Sequence, residues 1–193
     1  MTELAHVVLF HSILGLRSAE REIASIFEAD GHGVSLPDLF AGEIAKTYED
    51  GFALRDAIGD KLVHRRAREA LSNAPETAVL AGVSFGAFLV GALWGSRPKM
   101  RGALLFSGIA PWMNDPRPGL PVQAHVAQPD PFDDEAFFED WMGGANDAAC
   151  ALHRYPGVGH LFMDRTLPDY DADAAEIVLR RSCAFLETLE GGL

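Results

Sequence analysis

The chain predicts an α/β fold: one doubly wound sheet of six parallel strands with helices on both faces. Three observations carry this expectation. Short apolar runs rich in β-branched residues alternate with longer stretches of helical periodicity, which calls for a parallel sheet covered on both sides. One such run leads into Gly82-Val83-Ser84-Phe85-Gly86, and a second apolar run with helical spacing follows it. A serine, an aspartate and a histidine then fall on successive loops, each after its own strand.

Taken in order, Leu4 to Phe10 is apolar apart from His6 and has the length of a buried parallel strand. His11-Ser-Ile-Leu-Gly-Leu is a loop. Ser18 is the expected cap of a helix reaching about Asp30, with Ile23, Ile26 and Phe27 at helical spacing. Gly31-His-Gly ends that helix, and Val34-Ser-Leu-Pro is a short second strand. After a polar loop from 38 to 51, one charged amphipathic helix is expected from Phe52 to Ser72. Ile58, Leu62, His64 and Leu71 are candidates for its inner edge, and Asn73-Ala-Pro stops it.

The third strand begins near Thr77 and runs into the Gly-rich turn. Arg97-Pro-Lys marks a later turn, and Gly102 to Phe106 is the fourth strand. A Pro/Gly-rich loop from Ser107 to Leu120 holds Trp112 and Met113. Pro121 to Ala127 is the fifth strand and Asp133 to Gly143 an acidic helix. Cys150 to Tyr155 is the sixth strand. A last helix begins at Asp171 and reaches about Leu189, with Val178, Leu179, Ser182, Cys183, Leu186 and Leu189 on its apolar face.

The length of 193 residues suits a single domain, 1–193, without internal repeat or linker. A net charge of −12 argues against nucleic acid, which needs Lys/Arg surface to replace counterions, and against anionic membrane surfaces. Cys150 and Cys183, on a strand and a helix, read as buried free thiols rather than a disulfide. Met1-Thr-Glu-Leu-Ala-His lacks the basic-then-apolar pattern of a signal peptide, and no apolar run approaches the roughly 20 residues of a membrane span. A cytoplasmic location is the expectation. The His and acidic residues lack metal spacing, so neither metal nor other cofactor is expected. The Gly-rich turn is neither G-x-G-x-x-G nor a Walker loop.

A G-x-S-x-G run between strand and helix is a nucleophile elbow: its glycines let a strained serine stand exposed above the sheet. Reactive groups of open α/β sheets gather at the carboxyl ends of strands. Ser84 follows the third strand, Asp130 the fifth and His160 the sixth, which is the chain order of α/β-hydrolases. Asp133 competes with Asp130 for the acid. A strand order of 2-1-3-4-5-6 would set the loop from His11 to Gly15 beside the elbow. His160 would take the serine proton, Asp130 would fix its tautomer, and the backbone N–H groups of Ile13 and Phe85 would bind the oxyanion. His11 and Ser12 are candidate pocket residues. Trp112 and Met113 are candidate walls of an apolar acyl pocket, with plain packing as the alternative. His6, His32, His64, His125 and His153 read as structural.

These residues resemble the dienelactone hydrolase family (carboxymethylenebutenolidase-like α/β-hydrolases) over most of the chain. His11-Ser-Ile-Leu-Gly-Leu resembles its oxyanion loop, with Ile13 at the donor position. Gln128-Pro-Asp-Pro-Phe resembles its acid loop and selects Asp130 over Asp133 and Asp134. Tyr155-Pro-Gly-Val-Gly-His-Leu-Phe-Met-Asp and the helix beginning Asp171-Ala-Asp-Ala-Ala resemble its histidine loop and last helix. Three departures stand out. Ser84 replaces the usual Cys, Ser12 a Glu of the oxyanion loop, and Asp164 an Arg that holds a substrate carboxylate. The N-terminal strand hairpin of longer members is not expected in this fold. The resemblance implies hydrolysis of a small ester or lactone through an acyl-enzyme. The alternative is a non-catalytic small-ligand-binding protein on the same scaffold.

Overall fold

Six strands, β1 (His6–Phe10), β2 (Gly33–Ser35), β3 (Val79–Val83), β4 (Ala103–Phe106), β5 (Pro121–Gln128) and β6 (Ala149–Pro156), make one sheet. A computed structural model describes residues 4–112, 118–145 and 148–189. Every neighbouring pair is parallel, as the sequence predicts, and the order is β2-β1-β3-β4-β5-β6, the condition under which the loop after β1 lies beside the elbow. Phe10 pairs with Gly82 and Val83 with Phe106, so the carboxyl ends of β1, β3 and β4 finish side by side. β3 and β4 are buried along their whole length because helices cover both faces.

The helices are α1 (Ser18–Ala29), α2 (Tyr48–Ile58), α3 (Asp60–Ser72), α4 (Phe85–Leu93), α5 (Glu135–Gly143) and α6 (Ala172–Thr188). α1 packs with α6, while α3 packs with α4, which divides the cover of the sheet between two groups. Phe10, Phe27, Trp94, Phe106 and Phe162 are among the largest fully buried side chains. Each such side chain contributes roughly 1.5–3 kcal/mol of burial.

Three local expectations are corrected. The single helix from Phe52 to Ser72 is two helices, because Gly59 adopts φ 87, a left-handed conformation that interrupts the helix. The first of them starts earlier, at Tyr48, where the Thr47 hydroxyl accepts from the Asp50 N–H at 3.1 Å. The inner edge of α3 is Val63, Ala67 and Leu71, so Leu71 is buried as expected while Leu62 and His64 flank Val63 on either side. At α1 the N-cap is Arg17 rather than Ser18, and the Glu20 carboxylate reaches back to the Arg17 N–H at 3.0 Å.

Cys150 and Cys183 are free and half-buried; burial pushes their thiols up to about 11 and about 12, the second also through Asp30. Both are protonated at neutral pH. Among the described residues no helix is long and apolar enough to cross a membrane.

Candidate active site

The site begins with the turn between β3 and α4. Ser84 adopts φ 51 and ψ −107, a left-handed conformation costly for a residue with a Cβ. Its surroundings hold it there. The Ser84 N–H donates to the Phe106 carbonyl at 2.7 Å, and its own carbonyl accepts from Ala87 and Phe88. A Cβ on Gly82 would lie 2.2 Å from the Gly86 carbonyl carbon, and one on Gly86 would lie 2.3 Å from the Phe10 carbonyl oxygen. Only glycine permits the helix start to approach β1 and β3 this closely.

The serine hydroxyl lies 2.9 Å from His160 Nε2, and His160 Nδ1 lies 2.7 Å from Asp130 Oδ2. The His160 and Asp130 side chains are almost fully buried. The other Asp130 oxygen accepts from the Phe132 N–H at 2.9 Å and the Asp133 N–H at 3.4 Å, which fixes the carboxylate. A carboxylate only accepts, so the Nδ1 proton points to Asp130 and the Nε2 lone pair faces the hydroxyl. The Phe132 and Tyr48 rings pack against the imidazole at steep angles of 64° and 72°.

Asp133, the competing acid, does not reach His160 by a hydrogen bond. Its half-buried carboxyl is pushed up by desolvation and then by the Asp130 charge. The cap of α5 is Asp134, whose side chain accepts from the Phe137 N–H at 2.8 Å.

The loop after β1 is braced from below. His11 is fully buried; its Nδ1 donates to the Ser12 carbonyl at 2.7 Å and its Nε2 accepts from the Leu39 N–H at 3.0 Å. Desolvation holds its pKa below the ordinary value, and this bonding pattern is that of the neutral ring. The Ser12 N–H donates to the buried Glu20 carboxylate at 3.1 Å, and the Ser12 hydroxyl accepts from the Leu14 N–H at 3.3 Å. On α2, Gly51 is closed down on this loop, for a Cβ there would sit 2.5 Å from the Ile13 carbonyl oxygen.

A cavity of about 450 Å³ opens above Ser84 and His160, with Ile13 and Phe85 in its lining. Tyr48, Phe52, Phe88, Phe132 and Phe137 join Phe85 in the aromatic part of its wall. Arg55, Asp60, His64 and Asp133 are its Arg, Asp and His members beside His160. Two expectations for this wall are corrected. His11 and Ser12 brace the loop after β1 and do not line the cavity. Trp112 stacks at 5.1 Å on both Trp94 and Trp141 and donates to the Trp141 carbonyl at 2.7 Å, the packing alternative. Met113 lies outside the described residues. His64, read as structural, does line the cavity.

The sequence reading missed Glu20, Gly51 and the phenylalanine wall. Glu20 carries a signal, since it stands three residues after the helix cap, but that spacing does not show its second bond to Ser12. Asp164 is buried and pairs with Arg17 at 2.9 Å, tying the histidine loop to α1. Arg165 pairs with Glu22 at the surface. Among the described residues no three His, Cys, Asp or Glu side chains cluster as a metal site.

An elbow serine on a parallel sheet, with an imidazole and a carboxylate in file behind it, defines an α/β-hydrolase. Residues 2–190 match the profile of the dienelactone hydrolase family, and the chain belongs to that family, a carboxylic ester hydrolase by membership. Comparison with curated protein sequences finds no match. Several solved structures are similar. A dienelactone hydrolase-like promiscuous phosphotriesterase from metagenomic libraries is 18% identical, with 99% of this chain and 89% of that one covered and a TM-score of 0.78. Esterase PE8 is 17% identical, with 97% and 94% covered and a TM-score of 0.67. An α/β hydrolase enzyme from a Medee basin deep-sea metagenome library is 13% identical, with 97% and 85% covered and a TM-score of 0.69. At these identities the likeness is one of fold.

Proposed function

We propose that the protein is a serine hydrolase that cleaves a small ester or lactone through an acyl-enzyme. Ser84 is the nucleophile, His160 the general base and acid, and Asp130 the group that orients the imidazole. The observation that carries this reading is the unbroken file from Ser84 Oγ through His160 to Asp130, 2.9 and 2.7 Å, at the floor of a cavity of about 450 Å³.

The chemistry follows from the geometry. His160 Nε2 accepts the hydroxyl proton as Ser84 Oγ bonds to the carbonyl carbon. The carbonyl oxygen takes the electron pair, and the backbone N–H groups of Ile13 and Phe85 receive it. Phe85 suits this role because it opens α4, where the first N–H groups have no partner within the helix. The intermediate collapses, the imidazolium returns its proton to the departing alkoxide, and Asp130 balances the charge on the ring meanwhile. Water then repeats the sequence, releasing the acid and restoring Ser84. In a lactone the alkoxide stays tethered to the acyl group and leaves with it.

Ser12 fits this reading. A hydroxyl deprotonated by His160 needs no carboxylate to turn a thiol into thiolate, and Ser12 instead shapes the donor loop. Turnover of an activated aryl ester by the native chain, abolished in Ser84→Ala, is the expected result. Full turnover in folded Ser84→Ala would overturn the proposal. Ligand binding without any turnover would favour a binding protein on the hydrolase scaffold.

A further inference from the structure

The cavity has a character that the triad does not explain. Four phenylalanines, Phe52, Phe88, Phe132 and Phe137, are 41–49% exposed, and all of them line this one cavity. Exposed rings gathered around one opening mark a binding surface rather than scattered surface apolarity. Aromatic faces attract apolar groups and cations, because each ring carries negative potential on its face.

The charges point the same way. Arg55 is the one Lys or Arg in the described lining, and its charge is already engaged. Its Nε and Nη2 donate to Asp56 Oδ1 at 3.0 and 2.6 Å, Asp60 stands 3.8 Å away, and Phe52 lies beneath the guanidinium at 5.5 Å. The Asp133 carboxylate, by contrast, makes no hydrogen bond or ion pair among the described residues, although the His160 ring acts on it through space; only its backbone N–H is bonded. It lies between Phe132 and the start of α5, on the cavity wall, with the Asp134 carboxylate next in sequence. Arg17 is paired with Asp164 of the histidine loop and does not line the cavity.

Resting on the hydrolase reading, we infer that the cavity takes aryl or similarly apolar esters that are neutral or cationic, that it rejects carboxylate-bearing ones, and that Asp133 enforces the choice. A carboxylate roughly 6 Å from a ligand charge, across effective dielectrics of about 80 to 20, changes affinity by about 3-fold to 100-fold.

The test is equilibrium binding of two flat probes, phenyltrimethylammonium and benzoate, followed by NMR titration of the native protein, Asp133→Asn, Asp133→Glu and Phe132→Ala. The cation is expected to bind the native protein about tenfold more tightly than benzoate. Asp133→Asn brings the two to within about threefold, Asp133→Glu keeps the preference, and Phe132→Ala weakens the cation. Equal or tighter binding of benzoate, absence of binding by the cation, or an unchanged preference in folded Asp133→Asn would overturn the inference. Because binding needs no nucleophile, this outcome is separate from that of the Ser84→Ala turnover assay, which tests the hydrolase reading alone.

Discussion

Replacing Asp130 by Asn keeps the shape of the acid and reverses what it offers to His160. The structure determines how the amide sits. Oδ1 of Asp130 already accepts from the Phe132 and Asp133 N–H groups, so the amide oxygen of Asn stays there and its NH2 turns toward His160 Nδ1. The ring must then accept at Nδ1 and carry its proton on Nε2, the nitrogen 2.9 Å from the Ser84 hydroxyl. A ring in that tautomer has no lone pair for the serine proton. The wrong-tautomer penalty in serine hydrolases is about 10⁴ in kcat, or roughly 5 kcal/mol of barrier. The expected result for Asp130→Asn is a loss of 10³- to 10⁴-fold in kcat on an activated aryl ester. The Tm should change by only a few degrees, since the loop hydrogen bonds persist. Turnover within tenfold of native would refute the orienting role of Asp130.

Other substitutions test the scaffold beneath the triad. Gly86→Ala places a Cβ 2.3 Å from the Phe10 carbonyl oxygen, a backbone atom of β1 that cannot yield cheaply. A loss of about 3 kcal/mol or more is expected in urea denaturation, despite the gain of up to about 1 kcal/mol in helix propensity. Gly51→Ala, also inside a helix, meets the Ile13 carbonyl at 2.5 Å and should displace the donor loop. A tenfold or greater fall in kcat with a folded protein is expected from kinetics and circular dichroism. His125, buried between Tyr155 and Gln123, is held down to about 3 by desolvation first, and then by His153 and Arg181. The unfolded chain binds this proton at about 6.5 and the folded one does not, so stability falls as pH drops from about 6.5 toward 3. At pH 4.5 the loss from this group is on the order of 3 kcal/mol at most. Thermal melts of His125→Gln should show a shallower acid limb than native.

Much of this was readable from the chain, for identifiable reasons. Parallel strands buried on both faces leave continuous apolar runs, so β1, β3 and β4 could be read directly, while their order in the sheet could only be assumed. That Ser84, Asp130 and His160 would meet was legible because the topology puts the loops after β3, β5 and β6 on one rim. What failed depended on a single dihedral or on packing between distant elements. Gly59 looks like any surface glycine until its φ of 87 divides α2 from α3. Trp112 has an apolar side chain in a loop near the site, yet two other indoles hold it away. The cavity wall draws Phe52 from α2, Phe88 from α4 and Phe137 from α5. Periodicity within one helix says which face is apolar, but not that three apolar faces meet over one serine.

Intact mass after incubation with a fluorophosphonate tests the central claim most directly, because it reads an activated serine without knowledge of the substrate. The native chain should gain a single adduct, Ser84→Ala none, and His160→Ala an adduct formed at least a hundredfold more slowly. A folded native chain that gains no adduct, or an adduct that persists at full rate in Ser84→Ala, would contradict the assignment of Ser84 as the nucleophile.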